Sequence, residues 1–208
     1  MTIDLSAPSV EVAPQLLGAI LHGRGVSLRI TEVEAYLGGS DPGSHAFRGP
    51  TPRNAVMFGP PGHLYTYFTY GMHVCANVVC SPEGTATAVL LRAGEIVSGL
   101  DLARERRPTS KRQADLASGP ARLCVALGID LADNGVDLGH GAIRLEVGHD
   151  PVSASLIDQG PRVGVSGPGG SEDYPWRFWI KGDSTVSRYR ASQRGRRPVA
   201  DSLSGPRW

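Results

Sequence analysis

Hydrophobic residues along the chain follow two spacings, one helical and one alternating. Helical spacing predicts a short helix over residues 13–21, where Pro14 suits a first helical turn because that turn leaves its N–H groups unbonded. It predicts two further short helices over residues 98–108 and 118–128, the second with Pro120 in its first turn. The predicted helices are therefore few and short.

Alternation of hydrophobic and polar residues, typical of strands, covers more of the chain. The stretch HLYTYFTYGMHVCANVV contains two β-prone runs separated by Gly71 and Met72, which predicts a hairpin. The predicted strands cover residues 26–37, 63–79, 85–92, 142–148 and 176–182. Consecutive strands of this kind favour an α+β fold with a curved, mainly antiparallel sheet flanked by short helices over a doubly wound parallel sheet.

The strand over residues 26–37 contains an anomaly. Its first half carries Val26, Leu28 and Ile30 on one face, and a regular strand would turn Glu32 and Glu34 toward the same apolar side. Carboxylates are rarely buried without a partner or a purpose. This segment alone favours a bulge or a strand end that returns both glutamates to solvent. The alternative is that they are buried for a function.

The length of 208 residues, with 40% hydrophobic and 20% charged residues, predicts one globular domain over residues 1–208. Its 27 glycines and 16 prolines predict many turns, and residues 1–9 and 188–208 are candidate flexible ends. Because no apolar run has the length of a membrane span and residues 1–14 lack a signal-peptide pattern, we expect a cytoplasmic protein without membrane contact. The net charge of +1 gives no overall argument for a polyanionic partner.

Cysteine usage predicts neither a disulfide framework nor a structural zinc site. Cys75, Cys80 and Cys124 are odd in number and show no CxxC spacing, so we expect buried, reduced thiols. No spacing of His, Cys and carboxylate residues is typical of a metal site, and we expect no metal and no other cofactor.

The predicted hairpin concentrates aromatic residues in a chain that is only 6% aromatic: Tyr65, Tyr67, Phe68 and Tyr70 fall within six positions. Some of these rings are expected in the core. Tyrosine, however, needs a partner for its hydroxyl, which suits a partly wet pocket better than a dry core. Such rings can stack on an unpaired nucleobase, and their electron-rich faces favour a cationic base.

Fragments distributed over most of the chain resemble the alkyladenine (3-methyladenine) DNA glycosylase family, in the spacing of its bacterial members. In order, they are TEVEAYLG, SH, TPRN, MF, PPGHLYTYFTYGMHVCANVV, VLLRA, SGPARLC and RVGV, and the likeness extends from about Val10 to about Arg188. A single short fragment would mean little, but this many in one order are highly specific. The resemblance implies a fold like the C-terminal domain of formyltransferases and a monofunctional enzyme that initiates base excision repair.

The resemblance implies two catalytic residues. Glu34, in the EAY motif, would be the general base that activates the attacking water, and Arg92, which closes VLLRA, would help position that water. The residue types fit the reaction, because cleavage of an N-glycosidic bond develops positive charge on the sugar that a carboxylate can stabilise. No lysine occurs in these motifs, which favours direct hydrolysis over a Schiff-base lyase step.

The resemblance also implies a base pocket. Tyr36, His45 and Tyr67 match the residues that sandwich the flipped base, and Asn77 matches the pocket-floor residue that rejects purines with extra exocyclic groups. Tyr70 matches the side chain inserted into the gap left in the duplex. The implied substrates are alkylated or deaminated purines: 3-methyladenine, 7-methylguanine, hypoxanthine and ethenoadenine.

The partner implied by the resemblance is double-stranded DNA that contains a damaged purine, bound by a monomer that associates with the nucleoid. Arg48, Arg53, Arg122 and Lys181 are candidate phosphate contacts, although each could equally be ordinary surface charge. Two alternatives remain open: a catalytically silent protein that binds damaged DNA, and a nucleoside or small-molecule hydrolase. Glu34 with Arg92 argues against the first, and Tyr70 as a wedge argues against the second.

Overall fold

The computed structural model describes residues 3–69, 71–147 and 151–192. Within these residues eight strands form one antiparallel sheet, with strand order β3-β4-β5-β2-β1-β6 and with β8 pairing to both β2 and β7. The strands are β1 (Ile20–Gly23), β2 (Val26–Tyr36), β3 (Leu64–Thr69), β4 (His73–Cys80), β5 (Thr87–Ser98), β6 (Ile143–Glu146), β7 (Ile157–Gly160) and β8 (Arg177–Ile180). The α+β fold with an antiparallel sheet is confirmed.

The helix predicted over residues 13–21 is wrong in its bounds. Helix α1 spans Ser9–Gln15, so Pro14 lies near its end, and Ile20 belongs to strand β1. Gly18 separates the two elements with a φ of +84°, a left-handed conformation that ends helical geometry. The buried leucines of this segment, Leu16, Leu17 and Leu21, therefore lie at a helix end, in a turn and in a strand rather than on one helical face.

Helices α2 (Leu100–Arg106) and α3 (Pro120–Leu127) confirm the other two predicted helices. Pro120 occupies the first turn of α3, and Gly128 ends it with a φ of +71°. The buried side chains of α3 join the main hydrophobic core on one face of the sheet. The strands contribute to this core the side chains of Leu28, Ile30, Val33, Leu64, Ala76, Val78, Val89 and Leu91.

Strand β5 is longer than predicted, since it continues past Arg92 to Ser98. Gly94 allows this extension, because a Cβ there would lie 2.5 Å from the backbone oxygen of Arg29 on the paired strand. Strand β7 was not predicted, because its four residues show no clear alternation. The predicted hairpin is present as β3 and β4.

The glutamate anomaly is resolved by a bulge in strand β2. Pairing with β5 runs from Ile30 to Glu32 and skips Thr31, which reverses the faces of the strand. Before the bulge the even-numbered residues face the main core, and after it Val33 does so. A bulge was predicted here, but the predicted solvent exposure of the two glutamates is wrong. Glu32 and Glu34 are both 0% exposed, on the face opposite the main core.

Cys75, Cys80 and Cys124 are buried and free of disulfides, as predicted. No helix in the described part of the chain is long and apolar enough to cross a membrane. Of the candidate flexible ends, residues 1–2 and 193–208 lie outside the described residues.

Candidate active site

Cross-strand pairing places four side chains in a pocket on the sheet face opposite the main core. Tyr65 of β3 pairs with Asn77 of β4, Asn77 pairs with Leu90 of β5, and Leu90 pairs with Glu34 of β2. These four side chains form one row across four strands and line a pocket of about 430 Å³. Loops on either side complete the walls with Pro42, Gly43, His45, Met57 and the segment 163–166.

Glu34 is held by three donors. Its Oε1 accepts the backbone N–H of Val163 at 2.7 Å and lies 3.3 Å from Nη1 of Arg92, and its Oε2 accepts the hydroxyl of Tyr36 at 2.9 Å. The carboxylate is therefore fixed in the pocket wall and has no freedom to turn away. This geometry suits a general base, which must keep one orientation toward the water it activates.

Arg92 is oriented by the second buried glutamate. Oε1 of Glu32 accepts from Nε of Arg92 at 2.9 Å and from Nε of Arg177 at 2.7 Å, and its Oε2 accepts the N–H of Ser187 at 2.7 Å. Burial alone would lower the pKa of Arg92, but the carboxylates of Glu34 and Glu32 raise it above the ordinary arginine value. Arg92 is therefore a permanent cation in the pocket wall.

Aromatic rings form the remaining walls. His45 and Tyr67 lie with ring centroids 4.5 Å apart in a T-shaped arrangement, and Tyr65 stacks on Tyr67 at 5.6 Å. Burial, followed by the nearby Glu34 carboxylate, raises the pKa of Tyr36 well above 10. Partial burial of the ring and the charge of Arg53 lower the pKa of His45 below 6.5. At neutral pH the pocket therefore presents neutral tyrosines and a neutral imidazole.

Asn54 fixes the loop that carries His45. Its side-chain amide donates to the carbonyls of His45 at 2.9 Å and Gly49 at 3.1 Å, and its Oδ1 accepts the N–H of Thr51 at 2.6 Å. Asn54 is 1% exposed. Sequence reasoning gave it no role beyond the TPRN motif, but the structure shows that it orders this wall of the pocket.

Arg162 and Asp41 form a buried ion pair directly behind the pocket. Nη1 and Nη2 of Arg162 bind the two carboxylate oxygens of Asp41 at 2.6 and 2.7 Å, and both side chains are 0% exposed. The guanidinium carbon lies 4.5 Å from the ring centroid of Tyr36. Neither residue was singled out from the sequence, although Arg162 begins the RVGV motif.

A basic groove adjoins the pocket and shares Arg92 and Val163 with it. It has a volume of about 680 Å³. Its charged lining, in addition to Arg92, consists of Arg107, Lys111, Arg112, Asp115, Arg122, Arg188 and Arg190. Asp115 is paired with Arg112 at 2.8 Å, so the groove carries an excess of positive charge in a chain whose net charge is only +1.

The six residues predicted for catalysis and base binding all line the one pocket: Glu34, Tyr36, His45, Tyr67, Asn77 and Arg92. Tyr70 lies outside the described residues. The roles of the six pocket residues stay predictions. The fold nevertheless brings these six together in one pocket, although they are up to 58 positions apart in sequence.

The four candidate phosphate contacts are dispersed. Arg122 lines the basic groove, and Arg48 is exposed on the loop that precedes Asn54. Arg53 donates to the backbone oxygen of Phe68 at 2.8 Å and lies over the ring of Tyr67. Lys181 pairs with Asp158 at 3.2 Å and lines neither the pocket nor the groove.

Among the described residues, no group of three or more His, Cys, Asp or Glu side chains is arranged to hold a metal ion. Glu34 supplies the pocket with a fixed carboxylate and Arg92 with a fixed guanidinium, beside the aromatic rings of its walls.

Comparison with known proteins matches this chain to a family. The family model described as "Methylpurine-DNA glycosylase (MPG)" matches residues 4–184. A protein of Leifsonia xyli is 59% identical over 88% of this chain and 89% of its own length, and one of Streptomyces avermitilis is 55% identical over 91% of each. A third, from Nocardia farcinica, is 54% identical over 98% of this chain and 97% of its own length. Each is named "Putative 3-methyladenine DNA glycosylase".

Proposed function

The chain belongs to the methylpurine-DNA glycosylase family and is a DNA glycosylase, and we propose that it flips an alkylated or deaminated purine out of duplex DNA and hydrolyses its N-glycosidic bond. The observation that carries the proposal is the position of Glu34, fully buried in the wall of an aromatic pocket and held by Tyr36, Val163 and Arg92. A carboxylate fixed beside a slot for a planar base is what hydrolysis at the attached sugar carbon requires.

The proposed reaction is a single displacement. The extruded purine lies between Tyr36 and the pair formed by His45 and Tyr67. Glu34 accepts a proton from the water molecule. As it does so, the oxygen of that water bonds to C1′ of the sugar, and the bond from C1′ to the purine nitrogen breaks. The purine leaves with the electrons of that bond. Arg92 orients the water, and Glu34 stabilises the charge that develops on the sugar.

The proposed reaction stops at the abasic site. A lyase step needs an amine that forms a Schiff base with the sugar, and none of the described pocket-lining residues is a lysine. The sequence contains two lysines, of which Lys111 lies in the basic groove and Lys181 pairs with Asp158.

Recognition of damaged bases follows from the charges of the walls. The rings of Tyr36, Tyr67 and neutral His45 favour a cationic purine such as 3-methyladenine or 7-methylguanine over a neutral normal base. The amide of Asn77 donates to the carbonyl of Tyr65 at 3.1 Å, which fixes its orientation in the pocket floor. This supports its proposed role in excluding purines with extra exocyclic groups.

The basic groove supports duplex DNA, rather than a free nucleoside, as the substrate. It is continuous with the pocket through Arg92 and Val163, so a phosphate backbone bound there would pass the mouth of the pocket. A nucleoside carries no phosphate and would gain nothing from this surface.

The test is an excision assay on duplex oligonucleotides that each contain one lesion among 3-methyladenine, 7-methylguanine, hypoxanthine and ethenoadenine. Undamaged duplex and the matching free nucleosides are the controls. We expect release of at least one damaged base from duplex, with strand cleavage only after added alkali. Release from nucleosides at the same rate as from duplex, or binding of lesion duplex without any release, would contradict the proposal.

A further inference from the structure

We propose that the buried Arg162–Asp41 ion pair is a positioning device that fixes Glu34 and Tyr36 relative to each other and so sets the rate of base hydrolysis. The inference rests on the proposed function, because it concerns the residues assigned to that reaction. Neither member of the pair lines the pocket, so each would act through the residues that do.

The pair is fully saturated with hydrogen bonds. Besides binding Arg162, the carboxylate of Asp41 accepts the backbone N–H groups of Leu37 at 3.1 Å and Gly43 at 2.8 Å. The guanidinium also donates to the carbonyl of Gly169, with the shorter contact at 2.6 Å. Because the guanidinium nitrogens of Arg162 and both carboxylate oxygens of Asp41 have partners, any shift of the pair would break a hydrogen bond in a buried site. The pair therefore has a single stable geometry.

The first connection to the pocket runs through the ring of Tyr36. The guanidinium carbon of Arg162 lies 4.5 Å from the ring centroid, and Trp176 flanks the same guanidinium at 5.2 Å. Tyr36 lines the pocket whereas Arg162 does not, so the guanidinium supports the ring from behind. The tyrosine cannot tilt away from a base in the pocket without displacing a buried cation.

The second connection runs through the backbone on both sides of Glu34. Nη1 of Arg162 donates to the carbonyl of Ala35 at 3.0 Å, which is the residue between Glu34 and Tyr36. The N–H of Val163, the residue after Arg162, donates to Oε1 of Glu34 at 2.7 Å. The same arginine therefore holds the strand that carries the carboxylate and presents the donor that orients it.

Close packing leaves the pair little room to shift. A Cβ on Gly43 would lie 2.5 Å from Nη2 of Arg162, and a Cβ on Gly169 would lie 2.4 Å from the backbone nitrogen of Gly43. The two loops that close the pocket thus meet at glycines, directly against the ion pair. A change in the pair must be transmitted to the loops and to Glu34.

The experiment measures single-turnover excision at saturating protein, and separately the affinity for duplex that contains an abasic-site analogue, for wild type, Arg162→Lys and Asp41→Asn. Lysine keeps the charge but cannot bind Asp41 through two nitrogens or lie flat on Tyr36. We expect both variants to excise about 100-fold more slowly, the scale expected for a misplaced catalytic group, with unchanged affinity.

The matched control is Asp133→Asn. Asp133 also pairs with two nitrogens of an arginine, Arg24, at 2.6 and 2.9 Å, in a more exposed position, and lines neither the pocket nor the groove. It should lower the melting temperature and leave the excision rate of the folded protein unchanged. Circular dichroism at the assay temperature establishes the folded fraction of every variant.

Three results would overturn the inference. The first is a wild-type excision rate in folded Arg162→Lys and Asp41→Asn, and the second is a fall in rate that matches a fall in affinity. The third is an equal loss of rate in Asp133→Asn. An inactive wild type would instead refute the proposed function, and this inference with it.

Discussion

The Nη1 atom of Arg92 lies 3.3 Å from Oε1 of Glu34, while Nε of the same guanidinium binds Glu32 at 2.9 Å. The guanidinium thus joins the two carboxylates that strand β2 turns away from the main core. Glu34 lines the pocket, whereas Glu32 does not. The two glutamates have distinct tasks, one in the proposed chemistry and one in support.

Glu34→Gln should abolish most excision and preserve binding. Glutamine keeps the size of the side chain but cannot take a proton from water, so we expect the single-turnover rate to fall by about 100- to 10,000-fold. Affinity for lesion duplex, measured by fluorescence anisotropy, should be retained. Glu95→Gln is the control, since Glu95 binds Arg29 on the same sheet and lines neither the pocket nor the groove. Base release by Glu34→Gln at the normal rate would show that another group is the base.

Glu32→Gln should destabilise the fold. The variant leaves the buried guanidinium groups of Arg92 and Arg177 with less compensating charge, and breaking a buried ion cluster in this way costs about 3–5 kcal/mol. Urea unfolding of both proteins at pH 7 measures the difference. A free energy of unfolding equal to that of wild type would show that Arg92 and Arg177 are satisfied without this carboxylate.

The same pair of proteins should differ in acid sensitivity. Burial alone would raise the pKa of Glu32, but the charges of Arg92 and Arg177 lower it below the ordinary value of 4.5. The stabilisation by this carboxylate is therefore fully present above that value and is lost as the pH falls through the lowered pKa of the folded state. Between pH 7 and pH 3 wild type should lose more stability than Glu32→Gln. Parallel pH profiles would contradict this prediction.

Tyr70→Ala should weaken capture of lesion duplex more than it slows excision from the bound complex. An inserted ring replaces stacking that is lost when a base is extruded. Tyr70→Phe keeps the ring and should bind like wild type, so it is the matched control. Titration of labelled lesion duplex, followed by single-turnover assays at saturating protein, separates the two effects. Equal affinities for all three proteins would remove the proposed wedge.

The basic groove should make DNA binding dependent on salt. Replacement of one arginine that lines the groove, Arg107 or Arg190, with Gln is expected to reduce the slope of log affinity against log salt by about 1. Arg144→Gln is the control, because Arg144 is exposed on strand β6 and lies outside the groove. Unchanged slopes in the groove variants would place the phosphate backbone elsewhere on the protein.

Local patterns were sufficient for elements whose signals lie within a few residues. Pro120 and Gly128 bracket helix α3, and Gly71 lies at the turn of the hairpin between β3 and β4. The first helix was predicted incorrectly because Leu16 and Ile20 have helical spacing, although Gly18 separates a helix from a strand between them.

The sequence by itself determined strands β2 to β6 and β8, the ends of helix α3 at Pro120 and Gly128, and the motifs that identify the family. Only the tertiary structure decided that the bulge at Thr31 buries Glu32 and Glu34 instead of exposing them, because the face of a strand after a bulge depends on its pairing with β5. Only the tertiary structure brought Arg162 behind Tyr36, 126 positions earlier in the chain. A buried arginine is stable only where carboxylate and carbonyl oxygens from distant segments of the chain surround it. A local pattern of residues cannot predict which distant segments the fold brings together.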